Sequence, residues 1–522
     1  MHQALSSRFS TVQAGVEVVE LCASIYDFIE PVNRVPATVR WNELADDASC
    51  RYTDKYCFQS TWGYQICLLR ETNASPDRAV VRYRTIRAEI RRKSGGSTLL
   101  DLSVANIFSN ASSLVPEPIQ IVDHPAYAKW ARNAGQISLA EHMRLIEAFV
   151  SDLICAGWRL QPAALTSVRI DPPEVRSGRN RIVQLPSAGF SSLHKDPVRM
   201  PDSGLDFGVV WPEAATASQA RDRLTEARIG LLGPAATSFP RIKMFRRIQS
   251  HAINLVLLED DKDLNEMPEL RDTLRTAEEA GVRFKLAKIG TMGKTYPALN
   301  VAYDMFLLGG GKPWLPTREQ TDFYAFDAGH DAIKRQSRWV RVQTDAELNI
   351  TNVMLRDTTL GEHMSDPLLN DLWPQTAGIV CRDGRTSQEK IRLEARADEE
   401  NRTVIESKKS PKAILWRKTA RGISPAEFCD AVTDSHGDFL VQTCAQNAAD
   451  YLHPVRLTIR GDQPLLAVAS FLHQQALPGL SRSHLARLPG ALYFADLVSK
   501  LTGDGWTKGI GRGFQVPQIV PT

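Results

Sequence analysis

The chain has no Cys-x-x-Cys pair and no cysteine at ligand spacing from a histidine, although its eight cysteines stand at 22, 50, 57, 67, 155, 381, 429 and 444. That excludes a zinc-finger module and a disulfide framework, and it points to reduced thiols in a packed interior. No apolar run reaches membrane-spanning length. The leading residues Met-His-Gln-Ala-Leu-Ser-Ser-Arg lack the charged start and hydrophobic core of a secretory signal, so a cytoplasmic location is expected. Net charge is nearly absent, at +3 over 522 residues. A nucleic-acid partner must therefore be met by basic residues gathered in a groove. A complete phosphate loop is missing too. Gly290-Thr-Met-Gly-Lys-Thr295 has Lys288 where the motif needs its first glycine, and Gly309-Gly-Gly-Lys312 is followed by Pro313 where a Ser or Thr would hold magnesium. Both departures argue against nucleotide hydrolysis.

What is present is an ordinary globular composition, 43% hydrophobic and 24% charged, with length for roughly two to four domains. Residues 1–185 read as a mixed α+β region of unassigned role. Tyr64 to Glu71 and Ala79 to Arg92 form a strand pair, and Ser138-Leu-Ala-Glu141 is a capping box opening an amphipathic helix to about Gly157. Arg87, Arg91, Arg92 and Lys93 read first as an exposed strand-end charge cluster, with contact to a phosphate backbone as the competing reading. From 186 to 317 strands alternate with helices: Gly204 to Trp211, Ile253 to Leu258, the helix Pro268 to Ala280, then Val282 to Ile289. This is the pattern of a small Rossmann-like α/β domain.

In residues 318–522 three aspartates fall in telling places. Asp322-Phe-Tyr-Ala-Phe-Asp-Ala-Gly-His330 is an apolar strand carrying Asp327, and Ala377-Gly-Ile-Val-Cys-Arg-Asp-Gly-Arg385 is a core strand ending at Asp383. Leu488-Pro-Gly-Ala-Leu-Tyr-Phe-Ala-Asp-Leu-Val-Ser-Lys500 is a helix carrying Asp496, with Tyr493, Phe494, Leu497, Val498 and Leu501 as its expected buried stripe. Further on, Lys408, Lys409, Lys412, Arg417, Lys418 and Arg421 form a basic tract with no acid from 407 to 421, interrupted by Ile414, Leu415 and Trp416. Alternation of packing and charge suits a strand along a nucleic-acid channel; the competing reading is a solvated charged face.

The three aspartate segments, in this order, resemble the PIWI domain of the Argonaute family. Lys312-Pro-Trp314 after the glycines resembles the family's junction between MID and PIWI domains. The resemblance covers about residues 186 to 522, and it implies a Rossmann-like MID domain followed by an RNase H-like PIWI domain. By the same resemblance Asp327, Asp383 and Asp496 are catalytic and hold Mg2+ or Mn2+, with Glu362 the favoured fourth acid over Glu347. The MID domain would hold the guide 5′ end through Lys285, Lys288 and Lys294, with the C-terminal carboxylate of Thr522 as a metal-assisted alternative. The sequence departs from the family in the helix before the glycines, where lysines are usual and Tyr303, Asp304, Leu307 and Leu308 stand. That departure leaves three options: other lysines, a metal, or a different 5′ group.

No PAZ-like stretch is evident, so the resemblance implies a PAZ-less, short prokaryotic type. It would be loaded with a short guide, directed to complementary DNA or RNA, and engaged in defence against plasmids or phage. Two readings stay open: a metal-dependent, guide-directed endonuclease, or an inactive guide-loaded sensor that switches on a separate effector subunit docked on the N-terminal region. A third is an RNase H-fold nuclease without a guide.

Overall fold

A computed structural model describes residues 12–14, 17–29, 42–47, 51–59, 65–92, 97–113, 115–121, 124–185, 195–210, 214–261, 264–317, 321–331, 336–358, 365–384, 387–409, 411–443, 454–476 and 488–499. They form two compact units, each discontinuous in sequence. One joins the residues up to Arg169 with Lys408–Thr458, and the other joins Ile170–Ser407 with the residues from Ile459 onward. No helix of the described residues is long and apolar enough to cross a membrane.

The first unit is built on a six-stranded antiparallel sheet whose long strands are Gln65–Ala74, Val80–Arg92 and Thr98–Asn110. The Leu139–Cys155 helix begins at Ser138, whose hydroxyl accepts the Glu141 N–H at 3.2 Å as the capping box requires. It lays Leu145, Ile146, Phe149 and Leu153 against Ile86, Ala88, Leu100, Leu102 and Val104 of the sheet.

Strand periodicity puts Arg87, Glu89 and Arg91 on the other sheet face, and here the structure corrects the sequence reading. Arg91 is 6% exposed. It donates to Asp101 at 2.8 and 3.1 Å, to Asp434 at 2.6 Å and to Asp438 at 3.0 Å. Arg456, 1% exposed, pairs with Asp101 and Glu89. An isolated guanidinium at such depth would cost several kcal/mol, so these acids are what permits it. Two of the four, Asp434 and Asp438, come from Lys408–Thr458, and these pairs help to join that segment, inside the 318–522 span by sequence, to this unit.

The second unit contains two sheets that matter for function. The first has four parallel strands, β1 (Asp206–Val210), β2 (Ile242–Phe245), β3 (Ala252–Leu258) and β4 (Phe284–Lys288), in the order β2-β1-β3-β4. Helices α1 (Ala214–Leu232), α2 (Pro268–Glu279), α3 (Ile289–Met292) and α4 (Thr295–Leu308) complete it. All seven residues of β3 are buried, as expected for a parallel strand covered on both faces. The Rossmann-like expectation holds, with α1 and the short edge strand β2 added to it.

The second sheet begins with an antiparallel meander, β5 (Phe323–Asp331), β6 (Gln336–Thr344) and β7 (Ile350–Thr358). Two strands parallel to β5 follow, β8 (Ile379–Asp383) and β9 (Val404–Lys408), giving the order β7-β6-β5-β8-β9. This is the RNase H-like layout. Helices α5 (Asp366–Leu372) and α6 (Ser387–Glu399) set Leu368, Leu369, Leu372, Leu393 and Ala397 against Tyr324, Phe326, Trp339 and Val380. Helix α7 (Gly490–Ser499) packs on β5 and β6. Its buried side chains are Ala491, Leu492, Phe494, Ala495 and Val498, while Tyr493 is half-buried, so the inner face is turned slightly from the expected stripe. Leu501 lies outside the described residues. Burying Phe494 alone contributes about 2 to 3 kcal/mol.

Candidate metal centre and nucleic-acid contacts

The sheet register brings the first two aspartates together. Along the parallel strands β5 and β8, Phe326 lies beside Arg382, so the next residue of each strand, Asp327 and Asp383, comes level at the same end. Alternation sends Arg382 the other way, its guanidinium 5.7 Å from the Trp339 ring centre, while both aspartates face α7. Gly384 then turns the chain at φ +74, with its N–H donating to Ser407 at 2.8 Å. A side chain there would be strained, which is why the aspartate is followed by glycine.

Asp496 completes the cluster from α7. Asp327, Asp383 and Asp496 each offer a carboxylate oxygen, and these oxygens all lie within 4.8 Å of one another. Asp327 is 8% exposed and the other two are half-buried. Ser499, fully buried, donates from Oγ to Oδ2 of Asp327 at 2.7 Å, with the Asp496 carbonyl as a longer second acceptor at 3.1 Å. Sequence reading missed Ser499. The available signal was its spacing, three residues beyond Asp496 on the same helix face. Beneath the site burial holds the Cys381 thiol far above its ordinary range, helped by the Asp383 charge, so it stays protonated.

Three carboxylates this close repel unless a cation lies between them. Hard oxygen donors without histidine or cysteine fit Mg2+ or Mn2+ and disfavour softer metals. Of the two candidates for a fourth acid, Glu362 lies outside the described residues. Glu347 sits in the β6–β7 turn and accepts from the Lys312 ammonium at 3.2 Å, with Arg199 3.6 Å away. The Lys312 hydrogen bond holds its carboxyl below the usual range. It is committed to the lysine of the Gly-Gly-Gly-Lys-Pro-Trp junction.

The three lysines expected at a guide 5′ end are placed differently from one another. Lys285 is turned inward from β4 and pairs with Asp304 of α4 at 2.6 Å. Burial raises the Asp304 carboxyl above its ordinary range and the Lys285 charge pulls it back. Lys288, at the end of β4, donates to the Asp260 carbonyl at 2.8 Å. Lys294 is exposed at the start of α4. Thr522 lies outside the described residues.

In the basic tract, acids absent from the local sequence arrive from elsewhere in the first unit. Lys408 pairs with Glu89. Arg417 makes a two-pronged pair with Asp430 at 2.7 and 2.8 Å and meets Glu427 at 2.7 Å. Lys418 faces Glu20 at 3.5 Å, because the Leu415–Thr419 strand pairs antiparallel with Glu17–Ala23. Lys409 and Lys412 are half-buried and Arg421 is exposed on the hairpin.

No family model matches the sequence, and no curated protein does. Solved structures do. Clostridium butyricum Argonaute bound to a guide DNA and a 19-mer target DNA aligns at 11% identity, over 91% of this chain and 87% of that one, with TM-score 0.64. Kluyveromyces polysporus Argonaute with a guide RNA aligns at 11% identity, over 92% of this chain and 79% of that one, with TM-score 0.65. Drosophila Piwi aligns at 11% identity over 90% and 84%, with TM-score 0.59. At such identities the likeness is one of fold: the chain has the Argonaute fold, including the Rossmann-like MID and RNase H-like PIWI parts.

Proposed function

We propose that this protein is a PAZ-less Argonaute that carries a short guide strand, finds complementary nucleic acid by base pairing and cuts it in a metal-dependent reaction. The observation that carries this reading is the convergence of Asp327, Asp383 and Asp496 on one spot of the RNase H-like sheet. A bound divalent cation would supply activation of water and stabilisation of the leaving oxygen in phosphodiester hydrolysis. The chain's own contribution is placement. Asp327 is fixed by Ser499, Asp383 is set by the Gly384 turn, and Asp496 is carried by a helix anchored through Phe494. Sequence recognition belongs to the guide, and the protein grips backbone and helical shape. Support for the guide comes from fold: the Clostridium butyricum and Kluyveromyces polysporus proteins were each solved with a guide strand.

A second reading has its own observation. Among the described residues three acids gather at the site, and Glu347 is committed to Lys312. If Glu362 does not join them, the protein is a guide-loaded sensor acting through a separate effector subunit. Both readings place it in defence against plasmids or phage. One experiment separates them: purified protein loaded with a guide is mixed with matched and mismatched targets in Mn2+ or Mg2+. Cutting of the matched target only supports the nuclease, matched binding without cutting supports the sensor, and no preference for the matched target overturns guide-directed recognition.

A further inference from the structure

Parallel strands of one sheet are joined by crossovers of about a dozen residues or more, usually through a helix that covers the sheet face. Between β2 and β3 the crossover is only the six residues 246–251, and it contains no helix. Phe245 lies level with Val210, and Val210 with Val256. The chain must therefore run back over four residues (256 minus 252), roughly 13 Å, before β3 starts at Ala252. Six residues wound as a helix would advance only about 9 Å, so the segment is stretched across β1 and covers little of it. The two faces differ accordingly. Where α1 packs on β1 and β2, Phe207, Val209 and Ile242 are buried, whereas on the crossover face Val210, Phe245 and Ile248 are half-buried. A cleft of about 640 Å3 opens there, lined by Ile248, Gln249 and Ser250 of the segment and by Thr273, Thr276 and Ala277 of α2.

We propose that this cleft is a docking site for an acidic amphipathic helix of a second protein. The proposal goes beyond guide-directed recognition and holds or fails independently of it. The thinly covered lane beside α2 is where a helix ordinarily lies on a sheet of this kind, and a partner's helix can lay its apolar stripe there. The α2 wall suits such a stripe. The Thr273 and Thr276 hydroxyls donate to the Glu269 and Asp272 carbonyls of their own helix, at 2.8 and 3.0 Å, so neither needs a partner from outside. Charge sets the flanks of the incoming helix. No acid stands from 241 to 258, and Arg246 and Arg247, beside the cleft, are exposed and pair with no acid among the described residues. Asp272 at the rim is met by Arg271 at 3.4 Å. A nucleic-acid strand fits less well, because it takes aromatic faces to stack its bases on. The ring that precedes the segment, Phe245, is laid against Gly208, where a Cβ would stand 2.3 Å from it.

The test uses immobilised full-length protein and a displayed library of helical peptides of about 20 residues, each with an apolar stripe and randomised flanks. Selected sequences are expected to be rich in Asp and Glu beside the stripe, and the best of them is synthesised with a dye for anisotropy titration. Arg246→Glu combined with Arg247→Glu, and separately Thr276→Trp, should each weaken that peptide by about tenfold or more, the first through like-charge juxtaposition and the second by filling the cleft. Unfolding midpoints equal to wild type establish that both variants keep their fold. Selected peptides without an acidic bias, or binding that survives both changes, overturn the proposal. A single-stranded oligonucleotide that displaces the peptide and loses affinity in the same variants assigns the cleft to nucleic acid and overturns it too. A dimer in sedimentation that dissociates in Thr276→Trp assigns the cleft to a second copy of this chain, with the same consequence. Guide-directed recognition stands or falls on strand binding, which none of these outcomes decides.

Discussion

The Ser499 hydroxyl and the Asp327 carboxylate are joined by a buried 2.7 Å hydrogen bond, which ties the last turn of α7 to the central strand β5. One oxygen of Asp327 is thereby held, and the carboxylate cannot swing between rotamers when a cation arrives. A partner behind a metal ligand of this kind is typically worth about 10- to 100-fold in metal affinity. Ser499→Ala is therefore expected to weaken Mn2+ binding by about tenfold in a titration followed by electron paramagnetic resonance without nucleic acid, with Ser499→Thr recovering part of it. Loss of guide and target binding in parallel would show instead that the helix has moved.

Asp383 stands at the exit of β8, and its carboxylate belongs to the three-acid cluster while its backbone continues the sheet. Asp383→Ala is expected to abolish Mn2+- or Mg2+-dependent cutting of a guide-matched target and to leave target affinity within about twofold, since the lost group serves the metal and not the grip on the backbone. Gel analysis of cleavage beside filter binding checks both halves. Cutting that survives in the variant removes Asp383 from the reaction.

The carboxylate cluster was legible because each aspartate sits in a local pattern with its own period. An apolar strand, a strand ending in Asp-Gly and a helix with an apolar stripe can be read without knowing what they touch. Pairings made at long range were not legible. By its local sequence Arg91 reads as a surface residue, yet it is buried against Asp434, 343 residues away, which accepts from it. Period-two alternation shows that Arg91 leaves its strand on the face opposite the α-helix, but nothing local reveals that acids from Lys408–Thr458 cover that face. The partners of the basic tract were hidden for the same reason: no acid stands within it, and Glu20, Glu89 and Asp430 reach it through pairings fixed only by the folded chain.

Acid should loosen the first unit through Asp101. Burial works to raise its carboxyl, but the Arg456 and Arg91 charges and their hydrogen bonds outweigh it, so the group is held below its ordinary value. A carboxyl lowered in the folded state contributes stability above its unfolded value of about 3.9 and loses it as pH falls through the folded value. The denaturant midpoint of wild type should fall steeply as pH drops below about 4. Asp101→Asn should cost about 3 to 5 kcal/mol near neutral pH, by leaving two buried guanidiniums short of a counter-charge, and should flatten that acid-side slope. An Asp101→Asn protein as stable as wild type at neutral pH would show that the other acids suffice.

In the basic tract Lys408 and Arg417 hold the first unit together through Glu89, Asp430 and Glu427, so removing them mixes binding with stability. Lys409, Lys412 and Arg421 carry the proposal that this tract meets phosphates, and changing them together to glutamine should lower affinity equally for all sequences. The slope of log affinity against log salt should shrink by about 0.7 per lost contact on a single strand, or about 0.9 on B-form duplex, because each contact made releases condensed counterions. An unchanged slope, with unfolding midpoint also unchanged, would assign all three to a solvated face and move the backbone grip elsewhere. A reduced slope together with unaltered preference for the matched target would fix the tract as a contact to backbone alone, leaving sequence choice to the guide.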